Sequence, residues 1–348
     1  MPGWRGELAL HYRSEPWGEG ASQPSAVEPG QPPSATARRT VLHDRHSGPL
    51  RVLTSLYPER HEVCHNVVVH PPGGIVGGDT LQIDARLTPH AHALLTTPGA
   101  TRFYRSAGKT ALQQITATLE AGARLEWLPQ ETIVHGGALA ENRMRFELAP
   151  GASMIGWDLL ALGLPASGEA FEDARWPSRF VQQIELPRVW LERGVMEFEG
   201  RVAHQERVDD HEHRNERVSR PGHEAVAEAE DKSLMAQSPI NSDALNRRLL
   251  DAPLGWAGKR VLGCMWAAGG SPLGPAIVEA LLDAARQAIA DDALAATAGA
   301  TSPDGKLVVM RVLADRCEPA SQLMQHVWAA WRQAMWSLPA CAPRVWRT

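Results

Sequence analysis

Disulfide cross-linking, membrane spanning and nucleic-acid binding each leave a compositional mark that this chain lacks. Its 348 residues include four cysteines, Cys64, Cys264, Cys317 and Cys341, with no CxxC pair, so neither a disulfide framework nor a thiolate zinc site is readable. A run of the ~18 apolar residues that a bilayer demands is absent. The opening Met1 to Glu7 has no basic stretch followed by an apolar core, so the chain reads as cytoplasmic. A formal net charge of −5 offers no broad basic footprint, which sets nucleic acid aside. Catalytic signatures are missing too, with no Gly-x-Ser-x-Gly elbow, His-Glu-x-x-His pair or kinase set. Ser106-Ala107-Gly108-Lys109-Thr110 ends like a phosphate-binding loop, yet the glycine needed five residues before Gly108 is Phe103, and strand-like residues follow.

What remains is a chain with 43% hydrophobic and 22% charged residues, enough to bury a core. Trp4 to Tyr12 alternates with a period of two, as a half-buried strand does. Between Thr40 and Arg201 come many short apolar runs, among them Leu50 to Leu56, Val63 to Val69, Leu81 to Leu87, Ala91 to Thr97, Leu112 to Leu119, Leu125 to Leu128, Met144 to Leu148, Met154 to Trp157, Phe180 to Leu186, Val189 to Glu192 and Val195 to Val202. Turn signals at Pro71-Pro72-Gly73-Gly74, Thr88-Pro89, Ala121-Gly122 and Pro150-Gly151 separate them. This spacing predicts a mainly β fold and argues against a doubly wound nucleotide-binding core. Further strands are expected at Lys259 to Trp266 and Leu307 to Leu313. Two late helices follow from apolar stripes: Ile277, Leu281, Ala284, Ala285 and Ala288 after Gly274, then Leu323, Val327, Ala330, Trp331, Ala334 and Leu338 between Pro319 and Pro339. Residues 16–37, rich in Pro, Ser and Gly, and the charged stretch at about 204–250 read as flexible insertions in a single domain.

Several groups invite a metal reading. Cys64, His65 and His70 carry ligand chemistry, but strand parity sends His65 to one face and Cys64 to the other, with His70 ~20 Å along the strand from Cys64 at about 3.3 Å per residue. His204, Asp209, Asp210, His211, Glu212, His213 and His223 form a loose cluster in the charged insertion, with no apolar frame to hold a geometry. Asp79, Glu131, Asp158 and Glu169 lie in apolar or glycine-rich strings. A carboxylate there needs an arginine, water or passing cation beside it, and Arg102, Arg105 and Arg179 are the candidate counter-charges. Asp79 reads either as an Asx-type turn or as a carboxylate offered to a cation between paired glycines.

Several strings together resemble the UreD/UreH urease accessory family: Trp4-Arg5-Gly6-Glu7-Leu8, Leu56-Tyr57-Pro58-Glu59, His70 to Asp79, Thr96 to Ser106, Leu125 to Ile133, Ala166-Ser167-Gly168-Glu169 and Pro343-Arg344-Val345-Trp346. The resemblance implies stacked, helical layers of β-sheet, solenoid-like, with two helices added late. It implies a non-enzymatic scaffold that assembles with UreF and the GTPase UreG on apo-urease, UreE delivering nickel indirectly, with no stably bound cofactor. The failed phosphate loop then makes sense, because GTP hydrolysis belongs to a partner. On this reading Asp79, Glu131, Asp158 and Glu169 line or border a wet internal path for nickel in transit, held weakly enough to leave. A metal-dependent hydrolase and a stand-alone protein-binding β module are the alternatives.

Overall fold

The computed structural model describes residues 3–17, 38–200 and 242–347. In chain order the strands are β1 (Arg5–Pro16), β2 (Arg38–Ser47), β3 (Arg51–Val52), β4 (Val63–Val69), β5 (Thr80–Leu87), β6 (His92–Thr96), β7 (Thr101–Phe103), β8 (Ala111–Leu119) and β9 (Arg124–Leu128). They continue as β10 (Thr132–Val134), β11 (Leu139–Leu148), β12 (Ser153–Leu162), β13 (Ser178–Leu186), β14 (Trp190–Phe198), β15 (Val261–Gly269), β16 (Ala298–Thr301) and β17 (Leu307–Ala314). The helices are α1 (Ser242–Asp251), α2 (Pro275–Ala290) and α3 (Cys317–Trp336).

The middle of the chain winds as a parallel β-solenoid. β5, β6 and β7 form one coil, β8, β9 and β10 the next, and β11 with the long β12 a third. Thr80 pairs with Leu112 and Leu112 with Glu141, so each coil advances by about 30 residues, a solenoid period. β12 spans two positions, pairing with β9 through its first half and with β10 through its second. The coils stack into two walls, a seven-stranded sheet ordered β14-β13-β11-β8-β5-β1-β2 and a ten-stranded one running from β16 through β17, β15, β12, β9, β6 and β4 to β3.

One corner shows why the chain coils here. Leu87-Thr88-Pro89-His90-Ala91, Leu119-Glu120-Ala121-Gly122-Ala123 and Leu148-Ala149-Pro150-Gly151-Ala152 make the same turn, closed by Ala91 N–H to Thr88 O, Ala123 N–H to Glu120 O and Ala152 N–H to Ala149 O. His90, Gly122 and Gly151 each take a positive φ (64°, 73° and 81°), a backbone region glycine enters at no steric cost. A Cβ on Gly122 would sit 2.7 Å from the His90 ring. The closing alanines are buried, which leaves no room for a longer side chain.

Two cores result. The lumen between the walls takes the inward phase of each strand: Leu81, Ile83, Ala85 and Leu87 from β5, and Ala140, Met144 and Phe146 from β11. The second core lies outside the ten-stranded sheet, where α2 and α3 cover it. Covered on both faces, β12 is buried almost throughout (Met154 to Leu162), as strands of a doubly covered sheet are. Trp328, Trp331 and Trp336 of α3 are core residues, and each indole N–H finds an acceptor: Glu126 Oε2 at 2.7 Å, Leu281 O at 2.8 Å and Ser153 Oγ at 3.0 Å. Fully burying a side chain of this size contributes on the order of 3 kcal/mol.

The mainly β solenoid and both late helices match the sequence expectation. Details differ. Leu50 to Leu56 supplies only β3 and a bridge from Leu56 to His65. Most of Val189 to Glu192 and the start of the run from Val195 merge into β14, and residues 201 and 202 lie outside the described residues. The three-residue strands β7 and β10 leave no local periodicity, since neighbouring coils define them. α1 occupies part of the stretch read as a flexible insertion; it buries Leu250 and leaves Leu245 and Leu249 exposed, so its apolar stripe is too thin to read. α3 starts at Cys317, two residues before Pro319, which accordingly lies in its first turn. Trp4, placed by alternation on the inward phase of the first strand, is 65% exposed because β1 begins after it. Residues 18–37 and the histidine cluster from His204 to His223 lie outside the described residues.

Candidate functional site

A cavity of ≈ 280 Å³ opens between the two walls of the solenoid. Leu81, Ile83 and Met144 from the seven-stranded sheet and Trp127 and Pro129 from the other make it largely apolar. Besides Thr97, Thr101 and Thr132, its polar residues are His70, Arg102, Gln113, Asn142 and Asp158. Such a composition, apolar walls with a small number of converging polar groups, is that of a functional cavity.

Asp158 sits on the lumen face of β12 and is 4% exposed. Among the described residues its carboxyl group has no hydrogen-bond or ion-pair partner. Burial alone pushes its pKa up to about 7, since a charged carboxylate loses its hydration and gains no compensating contact. Strand register explains the isolation. Asp158 lies opposite Cys264 on β15, and Cys264 opposite Arg311 on β17. The Arg311 guanidinium is taken by Glu192 from β14. The Cys264 thiol is inert, its pKa raised by burial first and then by Glu192.

Facing this row, the seven-stranded sheet carries a ladder of amides. Gln113, Asn142 and Gln182 occupy paired positions on β8, β11 and β13. Gln113 Nε2 donates to Asn142 Oδ1 at 3.2 Å. Both amide atoms of Gln182 are buried without a protein partner, a situation that ordered water resolves in a polar interior. His70 stands at the cavity's glycine-rich wall, its pKa lowered by burial and partly restored by Asp79.

The four carboxylates singled out in the sequence are not gathered into one cluster. Asp158 alone lines this cavity. Asp79 caps the loop that forms one wall, Oδ1 accepting from Trp4 N–H at 2.8 Å and Oδ2 from Val76 N–H at 3.1 Å. Glu131 belongs to the helix side, where burial first, then Glu131 and Glu318, push the Cys317 thiol up to about 12. Glu169 is exposed and lies 3.6 Å from His135 Nδ1. None of the three candidate arginines pairs with any of the four: Arg179 serves Glu141 and Glu197, Arg105 lies over the Trp176 ring, and Arg102 lines the cavity. Cys64, His65 and His70 stay apart as strand parity requires, Cys64 bonding Asn66 and His65 bonding Glu59. Among the described residues no group of three or more His, Cys, Asp or Glu gathers as a closed metal site. The cavity therefore offers one carboxylate, one imidazole and neutral amide and hydroxyl oxygens beside the Arg102 cation, a donor set for weak contact with a passing cation.

Gln113, Asn142 and Gln182 escaped the sequence reading, although a signal was present. Each is the one polar residue in an inward series: Ala111-Gln113-Ile115-Ala117-Leu119, Ala140-Asn142-Met144-Phe146 and Phe180-Gln182-Ile184-Leu186. Aligning the coils puts the three interruptions in phase.

The family model described as UreD urease accessory protein matches residues 33–199 and 196–347. Among curated proteins, the chain is 48% identical over 345 residues to the urease accessory protein UreD of Leptothrix cholodnii, covering 99% of each chain. It is 46% identical to that of Methylibium petroleiphilum and 44% identical to that of Variovorax paradoxus, again over 99% of both partners.

Proposed function

The chain belongs to the UreD urease accessory protein family, and from that premise we propose that it is a non-catalytic scaffold of urease maturation, assembling in the cytoplasm with UreF and the GTPase UreG on apo-urease to help insert nickel. UreE acts upstream, handing over metal without seating on this chain. The observation that carries the reading is the solenoid cavity with its unpartnered Asp158. A carboxylate held near neutrality can release a proton when a dication arrives and recover it when the ion leaves, so binding stays weak and reversible. The amide ladder of Gln113, Asn142 and Gln182 extends that polar track along the solenoid axis. Of the other three carboxylates, Asp79 shapes the cavity wall, while Glu131 on the helix side and Glu169 at the surface lie outside the cavity. Among the described residues no helix is long and apolar enough to cross a membrane.

Co-expression of urease with Asp158→Asn in place of the wild-type chain tests the path. The expected result is urease with at least several-fold less nickel and activity, while the variant still co-purifies with UreF. Full activation by Asp158→Asn would remove the interior path, and failure of the wild-type chain to co-purify with UreF would remove the scaffold reading itself.

A further inference from the structure

Beside the corner formed by His90 and Gly122 lies a second recess, of ≈ 520 Å³, whose lining is predominantly basic. Arg38, Arg60, Arg124, His90 and His92 line it against the single carboxylate of Glu62. Arg38 is occupied, donating to the Ser14 side chain at 2.7 Å and to its carbonyl at 2.6 Å. The side chains of Arg60 and Arg124 make no hydrogen bond or ion pair among the described residues. Arg124 is half-buried, with its guanidinium 5.8 Å from the Trp336 ring centroid, and burial lowers its pKa while Glu126 partly offsets the shift. His92 lines the recess, is 3% exposed and spends Nε2 on Glu126 Oε1 at 2.8 Å.

A guanidinium stripped of much of its water and given no counter-ion is destabilising unless something supplies one. The last turn of α3 enters the same recess through Trp336 and Ser337, and its negative pole accounts for one nearby cation. That account is insufficient. Arg124 donates to none of the α3 carbonyls; Ser337 N–H meets Gln333 O, and Arg332 meets Pro339 O. A half charge at a helix end and the one carboxylate of Glu62 together do not balance three guanidinium groups.

We propose that this recess binds a small oxyanion, a phosphate or a carboxylate, held by the forked donors of Arg60 and Arg124 with His92 at its floor. Arginine suits the task because its planar fork matches two oxygens of such an anion, and stacking on Trp336 holds that fork in place. The site lies outside the ten-stranded sheet's lumen face and does not depend on the nickel path.

The test is calorimetric titration of the full chain, in low-ionic-strength chloride buffer, with inorganic phosphate and separately with sodium acetate. Saturable 1:1 binding of at least one of them is expected, weakened about tenfold by Arg60→Gln and by Arg124→Gln and unchanged by Arg143→Gln on the opposite sheet. Binding of phosphate alone assigns a dianion site; binding of both assigns carboxylate recognition as well. Absence of binding to the wild type, equal weakening by Arg143→Gln, or unchanged affinity in Arg60→Gln would overturn the proposal. Arg60 is exposed, so that variant decides the matter even if Arg124→Gln fails to fold.

Discussion

Glu126 and Asp158 are buried carboxylates on the two faces of one sheet, and their circumstances are opposite. Glu126, on the helix side of β9, is fully buried and has three partners: His92 at 2.8 Å, Trp328 at 2.7 Å and Arg332 at 3.1 Å. Arg332 also reaches both oxygens of Glu59, at 2.6 and 2.7 Å, and Glu59 holds His65. Although desolvation is the largest influence on Glu126 and acts upward, the contacts with His92, Arg332 and Trp328 together outweigh it and lower the pKa. Asp158, on the lumen side of β12, has no such partner and is pushed up to about 7. The difference teaches where the fold is built and where it is kept available: the helix face uses charge to seat α3, and the lumen face leaves a charge unanswered.

Breaking the satisfied side has the largest expected effect. Arg332→Ala leaves the buried Glu126 and the neighbouring Glu59 without their shared guanidinium and is expected to cost about 4 kcal/mol, read as a lower denaturation midpoint at unchanged slope. An additional Glu126→Gln in that background recovers part of the loss.

The unsatisfied side responds with the opposite sign. Asp158→Asn is expected to stabilise the protein by about 3 kcal/mol at pH 8, measured by chemical denaturation, with the gain shrinking as pH falls toward 5. The sign follows from the direction of the shift. A carboxyl whose folded pKa is raised contributes stability that is complete below its ordinary value and lost as pH climbs through about 7. Equal stability of Asp158→Asn and wild type at every pH would mean that Asp158 is already paired in solution.

A smaller effect separates the two on the acid side. Because the folded pKa of Glu126 is depressed, its contribution is present above the ordinary carboxylate value and disappears as pH drops through the folded one. Glu126→Gln is expected to be about 2 kcal/mol less stable than wild type at pH 7, with the difference vanishing below the folded pKa.

Much of this was legible in the residues. Alternation in β5, β8, β11 and β13 and the turn signals at Thr88-Pro89, Ala121-Gly122 and Pro150-Gly151 announce the layered β body, since period and turn chemistry are local properties. The helical stripes of α2 and α3, Trp331 among them, were readable for the same reason. The triple Leu-x-x-(His/Gly)-Ala corner was present in the chain but becomes visible only when the coils are laid over one another.

Which carboxylate stands alone was decided by tertiary structure. Asp79, Glu131, Asp158 and Glu169 look alike in sequence, each an acid in an apolar or glycine-rich string. Register places one opposite Cys264 in a cavity, one beneath backbone N–H groups, one beside α3 and one in solvent. Partners such as Glu126 and Arg332 are 206 residues apart, and nothing in either neighbourhood points to the other. The sequence determined the strands, turns and helices because those follow from short-range sterics and periodic burial; pairing of buried charges depends on which coils stack, and only the closed fold sets that.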